Sequence, residues 1–300
     1  MKKENIYHDS KENQTYYSDI DIPNSICWNI TKECNDNCLF CYRDKNSNDL
    51  DVADQRLIID KIASLKIVKL TFAGGEPLLL PNILELIQYA KEKGIAVSLT
   101  TNGILLKDNV LDFCLKNLDW LTLSLDGVTE DVQINMSRNR NHVKRIFDIF
   151  KAINSSPNTL CKIKINTLVS SVNKEFITDI VDFIISNPIH RWKLFQFVPL
   201  RGTAKINSSQ FFISDEDFYA TVEKVRKKMG KKADLLSISD RNNIENAYFV
   251  IFPNGDIKIS NNLEDRVLGN ALKNNLKKIW KEGNYNKQLH QKRTEFIKKK

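Results

Sequence analysis

The stretch KLTFAGGEPLLLPNILELIQYAKEKGIAVSLTTNG, residues 69–103, contains a complete strand–helix–strand unit. Its first apolar segment ends in two glycines, and its last apolar segment ends in Asn-Gly. The amphipathic helix predicted between them, near 81–93, has Pro81 in its first turn and Gly94 just past its end, which are common start and stop signals. Two such strands joined by a helix predict a βα unit of a parallel sheet.

The same alternation of apolar strands and amphipathic helices continues through most of the chain. The predicted strands lie near 26–31, 67–73, 95–101, 119–125, 161–169 and 192–198. The predicted helices lie near 53–65, 81–93, 107–117, 143–153, 174–186 and 214–229. A complete barrel of this type has eight units, so six predict an α/β fold built as a partial (β/α)6 TIM-like barrel.

The pattern changes after Gly230. The segment NAYFVIFPNGDIKIS, residues 246–260, predicts a hairpin that turns at 253–256, and a short helix is predicted near 271–281. No linker divides the chain, so we expect one domain with an extension. The predicted organisation is a polar segment at 1–24, a barrel core at 25–230, and a C-terminal extension at 231–300 that covers the barrel and ends in a basic tail.

The chain carries a formal charge of +8, from 45 basic and 37 acidic side chains, and the basic excess is concentrated late in the sequence. The simplest interpretation of this excess is a solvated basic face. A more specific alternative is that it binds an anionic substrate or a nucleic acid. The first 25 residues are polar, and no segment approaches the roughly 20 apolar residues of a membrane span. We therefore expect a cytoplasmic monomer with no membrane or nucleic-acid partner.

Three cysteines, Cys34, Cys38 and Cys41, follow the first predicted strand with the spacing C-x3-C-x2-C. In a reducing compartment such spacing indicates metal binding or catalysis rather than disulfides. Structural zinc usually takes four ligands, and the nearest further cysteine is Cys27. Three thiolates suit an iron–sulfur cubane that keeps one iron open. A structural zinc site or simply buried thiols are the alternatives.

Basic residues occupy alternate positions in several predicted strands. Period-two alternation places Lys164 with Asn166 on one face of strand five, and Arg191 with Lys193 on one face of strand six. If these residues and Lys69 face inward, their charges are costly unless an anion such as a triphosphate compensates them. The alternative is an outward, solvated face, but parallel strands are usually covered on both sides.

The cysteine run CNDNCLFCY, residues 34–42, resembles the signature of the radical S-adenosylmethionine (SAM) superfamily. The segments FAGGEP (72–77), TTNG (100–103) and LSLDG (123–127) are similar to superfamily segments in strand order. Each stands at the carboxyl end of a predicted strand, where parallel barrels place their active sites. The resemblance implies a [4Fe-4S] cluster held by the three cysteines, with SAM chelated to the fourth iron.

Further segments are similar, in order and spacing, to viperin and its prokaryotic relatives, which are SAM-dependent nucleotide dehydratases. These segments are RWKLFQF (191–197), KIN (164–166), NHV (141–143), SDEDF (214–218) and AYFVIFPNGDI (247–257). The resemblance implies conversion of CTP, UTP or GTP to its 3′-deoxy-3′,4′-didehydro analogue, a chain-terminating antiviral nucleotide, through a 5′-deoxyadenosyl radical. It also implies an electron donor such as flavodoxin or ferredoxin.

The same resemblance implies roles for individual residues. Those expected to line SAM are Phe40, Gly74, Gly75, Glu76, Thr101, Asn102, Ser124, Arg138, Leu168 and Phe195. Those expected to bind the triphosphate are Lys69, Lys164, Arg191, Lys193 and Tyr248, and catalytic roles are expected for Lys164 and Tyr248. The chain departs from its relatives at Ala73, where they carry serine, and at Cys27, where they carry asparagine near the base.

Two other classes of protein are compatible with parts of the sequence. Another radical SAM enzyme, such as a peptide-modifying maturase, is the first alternative, but many maturases bind auxiliary clusters through C-terminal cysteines and this chain has none after Cys161. A nucleic-acid-binding or scaffolding protein with a structural metal is the second, and only the net charge supports it.

Overall fold

The computed structural model describes residues 21–156, 159–261 and 263–298, so most of the predicted polar segment at 1–24 lies outside the described residues. The strands are β1 Ser25–Thr31, β2 Lys69–Gly74, β3 Ala96–Thr101, β4 Trp120–Ser124, β5 Lys162–Val169, β6 Ile189–Gln196, β7 Leu236–Ser239, β8 Val250–Ile251, β9 Asp256–Asn261 and β10 Glu264–Asn270. The α-helices are α1 Val52–Ser64, α2 Ile83–Glu92, α3 Asp108–Asn117, α4 Glu130–Asn135, α5 His142–Asn154, α6 Ile180–Ser186, α7 Gly202–Ile206, α8 Ser208–Phe211, α9 Asp215–Met229, α10 Leu276–Glu282 and α11 Lys287–Lys298.

All described strands belong to one sheet with the order β10-β9-β8-β1-β2-β3-β4-β5-β6-β7. The strands from β8 through β1 to β7 run parallel, whereas β9 is antiparallel to both β8 and β10. The predicted α/β fold with six consecutive parallel strands is therefore confirmed. Within the described residues the hydrogen-bonded order has two ends, β10 and β7, so the barrel is partial.

Helices cover the outer face of the sheet with apolar side chains. In α5 the buried residues Ile146, Ile149, Phe150 and Ile153 recur at helical spacing and form one apolar stripe. The outward residues of the strands are fully buried beneath such helices, as Trp192 shows on β6. The inward residues are only half-buried, and this difference indicates that the inner face borders an open space.

The sheet curls around that space. The hydroxyl of Tyr248, which lies just before β8, is 3.1 Å from the ammonium of Lys193 on β6. Six strand-to-strand steps separate β8 from β6 in the sheet order, which in a flat sheet amounts to about 30 Å. Because the two side chains touch, the inner face must enclose a lumen.

Several elements differ from the sequence-based expectations. Strand β6 begins at Ile189 rather than at 192, because the side chain of His190 already accepts a hydrogen bond from the amide of Ile163 on β5 at 3.1 Å. The helix predicted at 271–281 begins only at Leu276, since the Asn275 side chain caps it by accepting from the Lys278 amide. The sequence did not predict β7, β10 or α11.

The last helix, α11, contacts both sides of the lumen wall. The Ser25 amide on β1 donates to Nε2 of His290 at 3.3 Å, and Nη2 of Arg293 donates to the hydroxyl of Ser239 on β7 at 2.6 Å. The helix therefore bridges two strands that lie far apart in the sheet order. None of the helices in the described part of the chain has the length and apolar character needed to cross a bilayer.

Candidate active site

The three cysteines of the C-x3-C-x2-C motif lie in the loop after β1, called here the cysteine loop (residues 32–44). Cys38 is buried, and Cys34 and Cys41 are half-buried. The hydroxyl of Thr203 in α7 lies 3.0 Å from the carbonyl oxygens of both Cys38 and Cys41, and the Ala204 amide donates to the Cys41 carbonyl at 3.0 Å. Helix α7 therefore fixes the second half of the loop.

The glycine pair after β2 fixes the first half of the loop. The amide of Gly75 donates to the Thr31 carbonyl at 2.8 Å, and the amide of Glu76 donates to the Glu33 carbonyl at 2.7 Å. A Cβ atom on Gly75 would lie 1.9 Å from the Glu33 oxygen, so only glycine allows this approach. The amide of Gly75 therefore holds the cysteine loop.

The carboxylate of Glu76 joins the ends of β2 and β3. It is fully buried and accepts hydrogen bonds from the Thr101 hydroxyl at 2.7 Å, the Asn102 amide at 2.8 Å and the Leu78 amide at 3.1 Å. Burial raises the pKa of Glu76, and the three donors oppose that rise. Since a carboxylate has about four lone-pair sites, Glu76 retains capacity for one more donor, such as an ammonium group.

Arg138 lies against the cysteine loop. Its Nε donates to Asp126 at 2.9 Å, its Nη1 lies 3.5 Å from the sulfur of Cys38 and 3.8 Å from Asp36, and its guanidinium stacks on Phe40 at 4.9 Å. Burial by itself would lower the pKa of Arg138. The nearby Cys38 thiol and the carboxylates of Asp126 and Asp36 have the larger combined effect, so the pKa is raised. Two carboxylates therefore already balance this guanidinium.

The remaining residues expected to contact SAM lie near the carboxyl ends of their strands. The second oxygen of Asp126 accepts from the Leu168 amide at 2.7 Å, and Leu168 is the register partner of Phe195 on β6. Ser124 ends β4 and is the register partner of Asn166. The structure thus brings these residues to the same end of the barrel as the cysteine loop, while their contact with SAM stays a prediction.

The cysteine loop suits a cluster better than a single ion. In the described ranges, no three His, Cys, Asp or Glu side chains converge on one ion position. A cubane needs its thiolates on separate irons rather than at one point, and its sulfurs accept hydrogen bonds. The Arg43 amide lies 3.4 Å from the Cys41 sulfur. Three soft thiolate ligands in a preformed loop therefore fit an iron–sulfur cluster.

A second set of residues lines the lumen deeper in the barrel. We call it the cation group, and its members are Lys69, Lys164, Arg191, Lys193 and Arg293. Burial lowers the pKa of every member, to about 8 for Lys69 and to about 10 for Arg191 and for Arg293. Burial and then repulsion from the other members hold the pKa values of Lys164 and Lys193 well below their usual range. The lumen is therefore strongly electropositive.

Two members of the cation group, Lys193 and Arg293, contact the side chain of Tyr248. Lys193 donates to its hydroxyl at 3.1 Å, and the guanidinium of Arg293 lies 4.1 Å from its ring centroid. The sequence did not single out Arg293. Its buried neighbours on α11, His290 and Thr294, are polar, so no apolar stripe marked this helix as packed.

The two sets of residues lie at different depths. Lys164 precedes Leu168 by four positions on β5, which corresponds to roughly 13 Å along an extended strand. Cys27, on the inner face of β1, also belongs to the deeper level, because Lys69 and Lys164 oppose the burial that raises its pKa to about 11. A ligand held by the cations would therefore extend from the barrel interior toward the cysteine loop.

Comparison with known proteins assigns the fold and site to a class. The Radical SAM superfamily profile matches residues 28–184, more than half of the chain. The chain therefore belongs to the radical SAM superfamily, whose enzymes use a [4Fe-4S] cluster and SAM. The structure of Streptococcus suis SuiB bound to S-adenosylmethionine shares the fold, with a TM-score of 0.70 at 19% identity, over 90% of this chain and 68% of that one.

The family within that superfamily follows from sequence relatives. The chain is 30% identical over 275 residues to an S-adenosylmethionine-dependent nucleotide dehydratase from Flammeovirga pacifica, covering 87% of this chain and 91% of that one. It is 28% identical over 248 residues to a second protein of that name from Lacinutrix mariniflava, covering 77% of this chain and 49% of that longer one. The chain belongs to the viperin-like family of SAM-dependent nucleotide dehydratases.

Proposed function

We propose that this enzyme is a lyase that removes water from CTP, UTP or GTP and gives the 3′-deoxy-3′,4′-didehydro nucleotide, a chain-terminating antiviral product. The observation that carries this proposal is the cation group inside the barrel. Five basic side chains from β2, β5, β6 and α11 border one lumen, and each has a lowered pKa. Such a site favours a ligand with several negative charges.

A triphosphate suits this arrangement in both charge and shape. Arg191 carries a planar fork of the kind that matches phosphate oxygens, and Lys164 and Lys193 act as compact point charges. Arg293 adds positive charge, because its Nη1 and Nη2 already donate to Asn243 and Ser239. A bound anion would stabilise the charged forms of these side chains and return their pKa values toward the usual range. Binding would thus be favoured in part because the anion offsets the repulsion among these cations in the free enzyme.

We propose that Cys34, Cys38 and Cys41 hold the cluster and that Glu76 accepts the remaining hydrogen bond from the SAM ammonium. The Thr101 hydroxyl and the Asn102 amide keep that carboxylate in place. A cluster and SAM bound there would supply a 5′-deoxyadenosyl radical and release methionine, with one electron taken from an external donor, and this radical is suited to take the hydrogen from the ribose 4′ carbon.

The side chains at the deeper level would complete the reaction. The 3′ hydroxyl leaves as water with one added proton, and one further electron from an external donor gives the closed-shell product. Tyr248 is positioned to hold such a proton, because Lys193 fixes its oxygen and Arg293 fixes its ring. Lys164, beside Arg191 in the sheet register, would orient the phosphates so that the sugar meets the radical at contact distance.

We further propose that the enzyme is a cytoplasmic monomer that receives electrons from a flavodoxin or ferredoxin. We also propose the division into a barrel core at 25–230 and an extension at 231–300. The Tyr248 hydroxyl of the extension is 3.1 Å from the ammonium of the core residue Lys193, and the charge of Arg293 helps to lower the pKa of Lys193. The extension would then complete the substrate site rather than form a separate module.

A peptide-modifying maturase is the alternative reaction on this fold. A peptide substrate gives no reason for a buried cation group, whereas a triphosphate does. Mass spectrometry distinguishes the two. Reconstituted enzyme with SAM and dithionite should convert one of the four common ribonucleoside triphosphates to a product lighter by one water. No such product from any of the four would contradict the dehydratase assignment.

A further inference from the structure

Arg43 lies in the cysteine loop two positions after Cys41. Its amide is 3.4 Å from the Cys41 sulfur, and its carbonyl oxygen packs so tightly on α7 that a Cβ atom on Gly202 would lie 2.9 Å away. The backbone of Arg43 is thus held between the cysteine loop and α7. Its side chain starts from a fixed point beside the expected cluster ligands.

The guanidinium of Arg43 has unused donors. Its Nε and Nη1 atoms are shielded from solvent, and among the described residues neither has a hydrogen-bond partner. Buried donors without acceptors are destabilising, and charged donors more so. An acceptor beside the cysteine loop would relieve this cost.

Arg138, the other arginine that borders the loop, differs in this respect. It lies against Cys38 and forms ion pairs with the carboxylates of Asp36 and Asp126. Carboxylates therefore balance the charge of Arg138, whereas two donors of Arg43 have no acceptor among the described residues. This difference indicates that the Arg43 guanidinium, unlike that of Arg138, is available to a negatively charged ligand.

We propose that Arg43 donates hydrogen bonds to the sulfur atoms of the iron–sulfur cluster and thereby raises the reduction potential of the cluster. This inference rests on the proposed ligation of the cluster by Cys34, Cys38 and Cys41. Reduction adds one electron to the cluster, and a nearby positive charge with donated hydrogen bonds stabilises the more negative state. Arg43 is a positioning and tuning residue rather than a catalytic one.

A redox titration tests this role without substrate. Wild type, Arg43→Gln, Arg43→Lys and Lys45→Gln are reconstituted with iron and sulfide, and the reduced cluster is followed by electron paramagnetic resonance in the absence of SAM and nucleotide. Lys45 is the matched control, because it is an exposed cation directly after the cysteine loop, and its ammonium is 3.1 Å from the side chain of Asn37 within the loop.

At the wild-type midpoint potential, the ratio of reduced to oxidised cluster should fall about tenfold in Arg43→Gln, a shift of about 59 mV to more negative values for one electron. Arg43→Lys keeps the charge without the planar fork and should shift less. Lys45→Gln should match wild type, because solvent screens its charge.

Three outcomes would overturn the proposal. The first is an unchanged potential in Arg43→Gln at full iron content. The second is loss of iron from both Arg43 variants while the remaining clusters keep the wild-type potential, which would assign Arg43 to loop structure. The third is an unchanged potential with weakened SAM binding, which would make SAM its acceptor. Since no nucleotide is present, failure of the dehydratase assay would leave this result intact.

Discussion

The ammonium of Lys193 and the hydroxyl of Tyr248 are in hydrogen-bond contact at 3.1 Å, although β6 and β8 are separated by six steps in the sheet. This contact places a phenolic proton among the cations of the lumen. If Tyr248 delivers a proton or an electron to the sugar, Tyr248→Phe should lower product formation about 100-fold or more, as for loss of a general acid.

Nucleotide affinity should change little in Tyr248→Phe, because the ring and its contact with Arg293 remain. Tyr89→Phe is the matched control, since that hydroxyl bonds to Asp60 at 2.9 Å on the outside of the barrel. Product is measured by mass spectrometry and affinity by calorimetry. Equal product from the two variants would remove Tyr248 from the reaction.

The cation group should determine triphosphate binding. Lys193→Met removes one buried charge-assisted contact, and such a contact is worth about 1.5–3 kcal/mol, or roughly 10- to 150-fold in Kd. The reconstituted variant should keep its brown colour, because Lys193 donates its hydrogen bond to Tyr248 and not to the cysteine loop. Lys224→Met is the control, since that lysine is exposed and pairs with Glu175 at 3.6 Å. Identical affinities in the two variants would place the phosphates elsewhere.

Triphosphate binding should be accompanied by proton uptake. The pKa of Lys69 is about 8 in the free enzyme and should move toward its usual value of about 10.4 beside a bound anion. At pH 8 Lys69 alone would take up about half a proton, and affinity should fall as pH rises above 8. Lys164 and Lys193 shift in the same direction and would add to the uptake.

Calorimetry in two buffers of different ionisation enthalpy measures this uptake. At pH 8, proton uptake should be smaller in Lys69→Met than in wild type by about half a proton, the amount expected from Lys69. Proton release on binding, or an affinity that increases above pH 8, would show that the bound group does not contact these lysines.

The glycine pair should control cluster assembly. Gly75→Ala introduces a Cβ atom 1.9 Å from the Glu33 carbonyl oxygen and therefore forces the cysteine loop away from β2. Reconstituted protein should lose most of its iron. Gly94→Ala is the control, because its Cβ would meet nothing within 4 Å and only its left-handed backbone costs about 1 kcal/mol. Full iron content in Gly75→Ala would mean that the cysteine loop can hold its cluster without the close contact between Gly75 and Glu33.

The sequence predicted the parts of the site that follow from local patterns. The cysteine spacing located the loop. Period-two alternation placed Lys164 with Asn166 on one strand and Arg191 with Lys193 on the next, and the structure makes the two pairs register partners. Strand ends marked by Gly75 and Asn102 also lie together, joined through Glu76. These features depend on a few neighbouring residues and on the geometry of parallel strands, so sequence alone suffices for them.

Other features depend on contacts between distant segments. Arg293 enters the lumen only because α11 docks through His290, whose burial follows from a hydrogen bond to the Ala247 carbonyl rather than from an apolar pattern. The unsatisfied donors of Arg43 appear only when α7 and the cysteine loop are packed together. Polar packing of this kind has no periodic signature, and this explains why the sequence did not predict either arginine.

The most direct test of the central claim is whether a nucleotide controls SAM cleavage. Reconstituted enzyme is supplied with dithionite and SAM, and 5′-deoxyadenosine is measured without nucleotide and with CTP, UTP, GTP or ATP. We predict strong stimulation by one triphosphate and its loss in Lys193→Met at unchanged iron content. Cleavage that no triphosphate stimulates, or that Lys193→Met leaves equally stimulated, would contradict the account.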